Sequence, residues 1–297
     1  MGFKEELLTF SHAKITFDQP MKKITALGVG GNAKYLAVVD SLYSLNFLVQ
    51  TAKRFKIPFK VFGNGTNLLV SDKGYDGLII KTGGLCDVFF KRDQVRAMAG
   101  ANLDAVIKFA TEHRLSGLEP LAGIPATVGG AVVMNAGAFG RSISDCITTV
   151  ETLKQGKIKV YDKNQCAFGY RKSRFLGKKE VVVSATFNFS KREREKIIAD
   201  VKRYSSVRKS IQPIGKSCGS VFKNPIGQSA GLLIDKAGLK GLKIGGAQIS
   251  MRHGNFILTD NTATACDVYQ LIRTVKEKIN ELFGVTLSEE VEYVGEF

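Results

Sequence analysis

Apolar positions along the first third of the chain switch repeatedly between strand-like runs and helical stripes. KYLAVV (34–39) is a strand pattern, followed by Asp40-Ser41, a pair suited to cap a helix. Beyond the cap, Leu42, Leu45, Leu48, Val49, Ala52 and Phe55 recur at helical spacing, and Pro58 follows. FKVFG (59–63) reads as a short buried strand running into a glycine-rich turn. LIIK (78–81), VFF (88–90) and QVRAMAG (94–100) predict further strands. Ala101 to Leu115 predicts a second helix, with Leu103, Val106, Ile107 and Ala110 on one face and Gly117 just past its end.

The pattern then changes. Residues 117–140 are rich in glycine and alanine and poor in charge, which predicts a long loop made for close backbone approach to a ligand. Strands are expected at 147–153, 157–161 and 181–189, then a highly charged helix from Lys191 to Ser205 that suits a domain junction. A helix at 229–237 should stop at Gly238, with strands near 247–250 and 255–259. The last helix, 262–283, carries Val268, Leu271, Ile272, Val275, Ile279 and Leu282 as its buried stripe. Two short strand signals, Val285–Leu287 and Val291–Val294, close a mixed α+β chain without internal repeats.

Composition narrows the class. A chain of 297 residues, 44% apolar and 24% charged, is expected to fold into two or three globular domains. No apolar run approaches the ~20 residues that cross a bilayer. The start, MGFKEELLTF, lacks a signal-peptide core, so the expected address is the cytosol, without membrane association. Cys86, Cys146, Cys166, Cys218 and Cys266 are scattered with no CxxC pair, and His12, His113 and His253 are isolated. Neither a disulfide framework nor a metal site is expected.

The net charge of +16 is concentrated: between Glu151 and Lys216, 18 Lys/Arg stand against 6 Asp/Glu. Such a stretch attracts anions, whether nucleic acid or a phosphorylated small molecule. No zinc finger or RNP-like aromatic motif accompanies it, and glutamates interrupt it at KREREK, so a small anionic substrate is favoured.

Two glycine motifs fail on context. Gly28, Gly30 and Ala33 satisfy the dinucleotide fingerprint formally, but no clear strand precedes them and strand-like AKYLAVV follows. Gly215-Lys216-Ser217 resembles the end of a P-loop, yet position 210, where the first glycine belongs, is Ser210. A better signal is VFGNGTNLLVSD (61–72), where Gly63 and Gly65 flank Asn64 after a strand. Glycines so placed let backbone N–H groups converge on a diphosphate, although Asn-Gly is equally a hairpin turn. GLEPLAGIPATVGGAVVMNAGAFG (117–140) is long for a connection unless it packs against a flat ligand or diphosphate.

Together these two segments resemble the cofactor loops of vanillyl-alcohol-oxidase-like flavoproteins. YRKSRF (170–175), SCGSVFKNP (217–225), GLLIDKAGLKGLKIGGAQIS (231–250), HGNFI (253–257) and LSEEVEYVG (287–295) then occur in the order found in UDP-N-acetylenolpyruvoylglucosamine reductases. The resemblance runs from about Ile24 to Gly295. It departs from the family at Cys218 and at Ser288, and the short spacing from Arg171 to Ser220 is similar to the compact type that lacks a tyrosine-bearing insertion.

The resemblance implies an α+β protein: a two-subdomain FAD-binding fold of the vanillyl-alcohol-oxidase type plus a C-terminal α+β substrate-binding domain. Its boundaries are expected as an N-terminal segment 1–20, an FAD-binding domain 21–195, and a substrate domain 196–297 whose tail returns to the active site. FAD would be held by Gly63, Asn64, Gly65, Thr66, Asn67 and Leu68 in the first loop. In the second, Gly123, Ile124, Pro125, Ala126, Thr127, Gly129, Gly130, Asn135, Gly137 and Ala138 would hold it. Neither loop holds a histidine or cysteine, so the attachment is expected to be non-covalent.

The implied reaction uses NADPH to reduce FAD, which then reduces the enolpyruvyl ether of a UDP-N-acetylglucosamine. Arg171 matches the clamp on the substrate carboxylate, Ser220 the proton donor, and Glu290 the carboxyl group that assists. Tyr170, Lys216, Lys223 and Asn224 are the implied substrate contacts, and His253 has a structural role. By residue type alone, Arg171 reads as a surface arginine, Ser220 as a turn serine beside Gly219, and Glu290 as an exposed strand-end glutamate. No obligatory protein partner is expected. A flavin oxidase of the same fold, acting on a hydroxy acid or sugar, would account for the loops but not for GSVFKNP or EEVEYVG.

Overall fold

In this computed structural model, residues 2–91, 94–178 and 180–297 are described. Met1 of the expected N-terminal segment, and residues 92, 93 and 179 of the expected FAD domain, lie outside the described residues. The chain divides into two compact units built from alternating stretches: 1–16, 36–64 and 77–208 in the first, 17–35, 65–76 and 209–297 in the second. The contiguous boundaries expected at 20/21 and 195/196 do not follow this division. Leu27, Val29 and Leu69 belong to the C-terminal core, which is why their segments group with it.

The first unit opens with α1 (Phe3–Thr9), which the sequence pattern did not predict. It is held by the buried Glu6 carboxylate, which accepts from the Arg54 guanidinium and from Thr51 Oγ1. Next, α2 (Leu42–Arg54) starts at Ser41, whose Oγ accepts from Ser44 N at 3.1 Å. The third helix, α3 (Leu103–Glu112), ends earlier than expected because Arg114 turns left-handed, at φ 58°. Helix α4 (Val128–Met134) lies inside the segment expected to be one loop. That segment also holds a 3-10 turn, Glu119–Leu121, and a hairpin pairing Gly137–Ala138 with Arg141–Ser142. Gly129 and Gly130 hide the helix by their low propensity, while the Thr127 cap and burial of Val128, Ala131 and Val132 stabilise it. The charged helix α5 runs Arg194–Ile211, displaced from the expected Lys191–Ser205, and buries only Ile197.

These helices accompany a five-stranded antiparallel sheet in the order Lys157–Asp162, Ile147–Lys154, Val181–Phe187, Gln94–Met98, Val88–Lys91. Every residue of Val181–Phe187 is buried, as expected for a central strand with a helix, α4, packed on it. A second sheet runs Lys14–Pro20, Asn32–Val38, Tyr75–Lys81, Phe59–Phe62, its last pair parallel with Phe59 opposite Leu78.

The second unit has α6 (Ala230–Lys236) and α7 (Ala265–Phe283) around a three-stranded antiparallel sheet, Lys243–Ile244, Ala247–Ile249 and Ile257–Thr259. The start of α7 is capped twice: Thr264 Oγ1 accepts from Asp267 N, and the Asp72 carboxylate accepts from Ala265 N and Cys266 N, both at 2.9 Å. Gly284 ends it at φ 64°. Val285–Leu287 is not a strand; Leu287 is buried in the core while its backbone runs without a strand partner. The final strand, Glu292–Val294, pairs in parallel with Leu68–Val70.

Candidate active site

Within the first unit, the strand Phe59–Phe62 delivers Gly63 against Thr127, so closely that a Cβ at Gly63 would overlap Thr127 Oγ1. Asn64 Nδ2 donates to Asn102 Oδ1 at 3.0 Å and to Pro125 O at 3.1 Å. Residues 123–130 are laced to 99–104: Leu103 N donates to Ala126 O, Val128 N to Ala101 O, and Gly129 N to Ala99 O. Gly123, at φ 79°, donates its N–H to Asp104 Oδ1 at 2.8 Å. Ile124 O accepts from Ala126 N and completes the turn before the Thr127 cap. Gly63, Asn64 and the 123–130 segment are therefore one connected rim.

Its open point is Gly130. A Cβ there would meet nothing nearer than Thr127 Oγ1 at 3.6 Å, and the residue is exposed. Gly63, in contrast, is glycine because the chain's own atoms occupy the space. That rim, with exposed backbone at Gly130, fits a bound dinucleotide such as FAD.

Arg171 is the second central residue of a two-residue turn closed by Gly169 and Lys172, which exchange N–H···O bonds of 3.0 and 3.2 Å. It adopts φ 50°, uncommon for a residue with a Cβ. Its guanidinium donates to Gly137 O at 3.0 Å and lies 5.2 Å from the Tyr170 ring centroid. Tyr170 is exposed. Asn135 supports the turn: its Nδ2 donates to Gly169 O at 2.9 Å and its Oδ1 accepts from Ser144 N. Asn135 is expected to contact the cofactor, and its side chain is engaged within the protein, which leaves its backbone for that contact. Gly137 and Ala138 form the short strand beneath this turn.

Arg208 was not singled out from the sequence. It is half-buried, with Nε donating to Ala122 O at 3.0 Å and a terminal nitrogen to Pro120 O at 3.3 Å, and it lies 5.5 Å from the Phe139 ring centroid. Burial lowers its pKa. Nothing in the sequence separates it from the other basic residues of α5.

Within the second unit, Gly65 sits at φ 68°, where a Cβ would lie 2.8 Å from Ile24 O. Thr66 follows, then Asn67, whose Nδ2 donates to Glu290 O at 2.9 Å and whose own carbonyl accepts from Glu292 N. Leu68 is buried in the parallel pair with Glu292. Asn67 and Leu68, both expected to contact FAD, also hold the terminal strand.

The segments that carry Ser220 and Glu290 are joined through their backbones: Glu290 N donates to Val221 O at 2.8 Å, and Lys223 N to Ser288 O at 2.9 Å. Cys218, fully buried beside them, has its thiol pushed up to about 12 by burial, with the Glu290 charge adding to the effect. It stays protonated and inert. Lys223 is half-buried; Asn224 is exposed, with Oδ1 accepting from Ala230 N at 3.0 Å. Lys216 is exposed, and its Nζ donates to Asn261 Oδ1 at 2.9 Å. Among the described residues no cluster suited to a metal ion exists.

Residues 33–160 match the FAD binding domain family, which makes the chain a flavoprotein by class. Residues 211–294 match the family described as UDP-N-acetylenolpyruvoylglucosamine reductase, C-terminal domain. A UDP-N-acetylenolpyruvoylglucosamine reductase of Streptococcus thermophilus is 42% identical over 295 residues, 99% of this chain and 96% of that protein. One from Caldanaerobacter subterraneus is 40% identical, covering 95% of this chain and 94% of its own. The crystal structure of the Thermus caldophilus reductase superposes with a TM-score of 0.82 at 38% identity, over 96% of this chain and all of that one. This chain belongs to the UDP-N-acetylenolpyruvoylglucosamine reductase family. Physcomitrella patens BBE-like 1, at 15% identity and a TM-score of 0.50 over 64% of this chain and 45% of its own, shares the fold alone. The fold is the vanillyl-alcohol-oxidase-type FAD-binding fold with a C-terminal α+β domain, as the sequence led us to expect.

Proposed function

We propose that this protein is the NADPH-dependent flavoenzyme that reduces UDP-N-acetylglucosamine enolpyruvate to UDP-N-acetylmuramate in peptidoglycan precursor synthesis. Near-full-length identity of 42% to a reductase of that name carries the reading. FAD, when bound and reduced by NADPH, would supply the hydride for the terminal carbon of the enolpyruvyl group.

The chain's residues manage the charge and the proton that follow. Arg171 pairs its planar guanidinium with the substrate carboxylate, onto which electron density moves. The Ser220 hydroxyl gives its proton to the carbon beside that carboxylate, which completes addition across the double bond. Glu290 assists Ser220; its backbone tie to Val221, next to Ser220, supports this role. Tyr170, Lys216, Lys223 and Asn224 bind the UDP-sugar. Gly63–Leu68 and the 123–138 segment would hold FAD, with Asn67 and Asn135 contributing through the backbone they fix. The reaction belongs in the cytoplasm, where cell shape and division depend on its product. Among the described residues no helix is long and apolar enough to cross a membrane.

The test is direct. Purified protein should be yellow, NADPH should bleach it, and the enolpyruvyl UDP-sugar should restore the colour while gaining two hydrogens by mass. A yellow protein bleached instead by a hydroxy acid or sugar, and indifferent to the UDP-sugar, would mark a flavin oxidase.

A further inference from the structure

Three consecutive residues of the SCGSVFKNP motif are gripped by two of HGNFI. Ser220 bridges Phe256, and Val221 N donates to Asn255 O at 2.9 Å. The Asn255 carboxamide then engages both polar groups of the next residue. Its Oδ1 accepts from Phe222 N at 2.9 Å, and its Nδ2 donates to Phe222 O at 2.8 Å. On the other side, Val221 O accepts from Glu290 N, and Phe222 bridges Glu289.

Asn255 is only 4% exposed, and Phe222 is 2% exposed. No regular ladder runs here; the bridges are isolated, so the carboxamide does what a neighbouring strand would do. Only a side chain with a donor and an acceptor in one plane can satisfy both groups. Leucine, of similar shape, offers neither. Aspartate keeps the acceptor and turns a second acceptor onto the Phe222 carbonyl.

We infer that Asn255 is a positioning residue for Ser220: its carboxamide fixes the backbone at Phe222 and so sets where the Ser220 hydroxyl points. The inference rests on the proton-donor reading of Ser220 and goes beyond it. His253 shares the arrangement, since its Nδ1 accepts from Asn255 N at 3.2 Å and locks the turn that carries Asn255.

The experiment is rapid mixing of FAD-loaded, NADPH-reduced full-length protein with the enolpyruvyl UDP-sugar. Asn255→Leu and Asn255→Asp should each slow reoxidation by about 100-fold, the effect of misplacing a reacting group by ~1 Å. Reduction by NADPH should stay unchanged, which also shows that the variant has folded; Asn255→Asp serves should the leucine variant fail to fold. In a Ser220→Ala background the same substitutions should add little, because no hydroxyl remains to position. A full multiplicative loss in that background, an equal loss in both half-reactions, or unchanged reoxidation overturns the inference. If Ser220→Ala alone leaves reoxidation untouched, the proton-donor reading falls and this inference falls with it. If Ser220→Ala is slow but the Asn255 variants are not, only the inference is lost.

Discussion

Arg171 holds a left-handed backbone conformation in a turn with no glycine at that position. An L-residue there costs roughly 1–2 kcal/mol, and a fold selected only for stability would place glycine or asparagine. Arg171→Gly should relieve that strain while losing the bond to Gly137 O and the contact with the Tyr170 ring, so the melting temperature should change little while turnover disappears. A clear fall in the melting temperature would assign the arginine to the fold. Arg171→Lys, which keeps charge but loses the planar fork, should leave NADPH reduction intact and lower enolpyruvyl turnover by ~100-fold or more. Ser220→Ala should likewise bind FAD, NADPH and UDP-sugar, yet reoxidise very slowly, and Ser220→Cys should recover part of the rate because a thiol is a stronger acid. Wild-type reoxidation in Ser220→Ala removes the serine from the mechanism. These three catalytic candidates were legible only through ordered motifs, because each is bland by residue type. What the sequence hid was how the asparagines spend their side chains. Asn67 and Asn135 sit in cofactor-like loops, but the structure turns both inward, onto Glu290 O and Gly169 O. Arg208 was invisible for the opposite reason, as one cation among many.

At the scale of elements, α4 gives a test that separates cofactor space from protein packing. Gly63 and Gly65 are unsuitable, because a side chain at either strikes the protein itself. Gly130 is open and helical, so Gly130→Ala should stabilise apo-protein by up to about 1 kcal/mol. The same methyl group, and more so the side chain of Gly130→Val, should weaken FAD binding if the dinucleotide lies against this turn. Opposite signs in apo melting temperature and FAD affinity are the expected result; unchanged FAD affinity in both variants would move the cofactor elsewhere. The HGNFI turn has its own signature. His253 has its pKa lowered, first by burial and then by Lys240, and its neutral Nδ1 accepts from Asn255 N. The unfolded chain therefore takes up a proton near pH 6.5 that the folded chain resists, so stability should fall as pH drops below about 6.5. His253→Gln should flatten that part of the urea-midpoint profile between pH 7.5 and 5.5; an unchanged slope would exclude His253 as its source. Elements with strong periodicity, such as α2 and α7, were legible from sequence. Those stabilised by context were not: α4 carries two glycines, and α1 depends on Glu6 meeting Arg54 from α2.

For the whole molecule, the governing fact is that the chain alternates between its two units in six stretches. Each unit has its own buried core, with Leu103 fully buried in one and Leu271 in the other. Separate cores usually allow separate unfolding, as in domains joined by one linker. Here the strands Lys14–Pro20, Asn32–Val38 and Tyr75–Lys81 each carry residues of both units, so neither unit can lose its strands without withdrawing backbone from the other. The expected outcome is one cooperative transition. Leu103→Ala and Leu271→Ala each remove a fully buried side chain, at a cost of about 2–5 kcal/mol. Both should lower the same calorimetric midpoint, and for one cooperative unit of 297 residues each kcal/mol lowers it by roughly 1–2 °C. FAD should raise that midpoint for the whole chain, since a ligand at a hundred times its Kd stabilises by about 2.7 kcal/mol. Two resolved transitions, with each alanine variant moving only its own and FAD moving only one, would show that the alternating strands do not couple the cores.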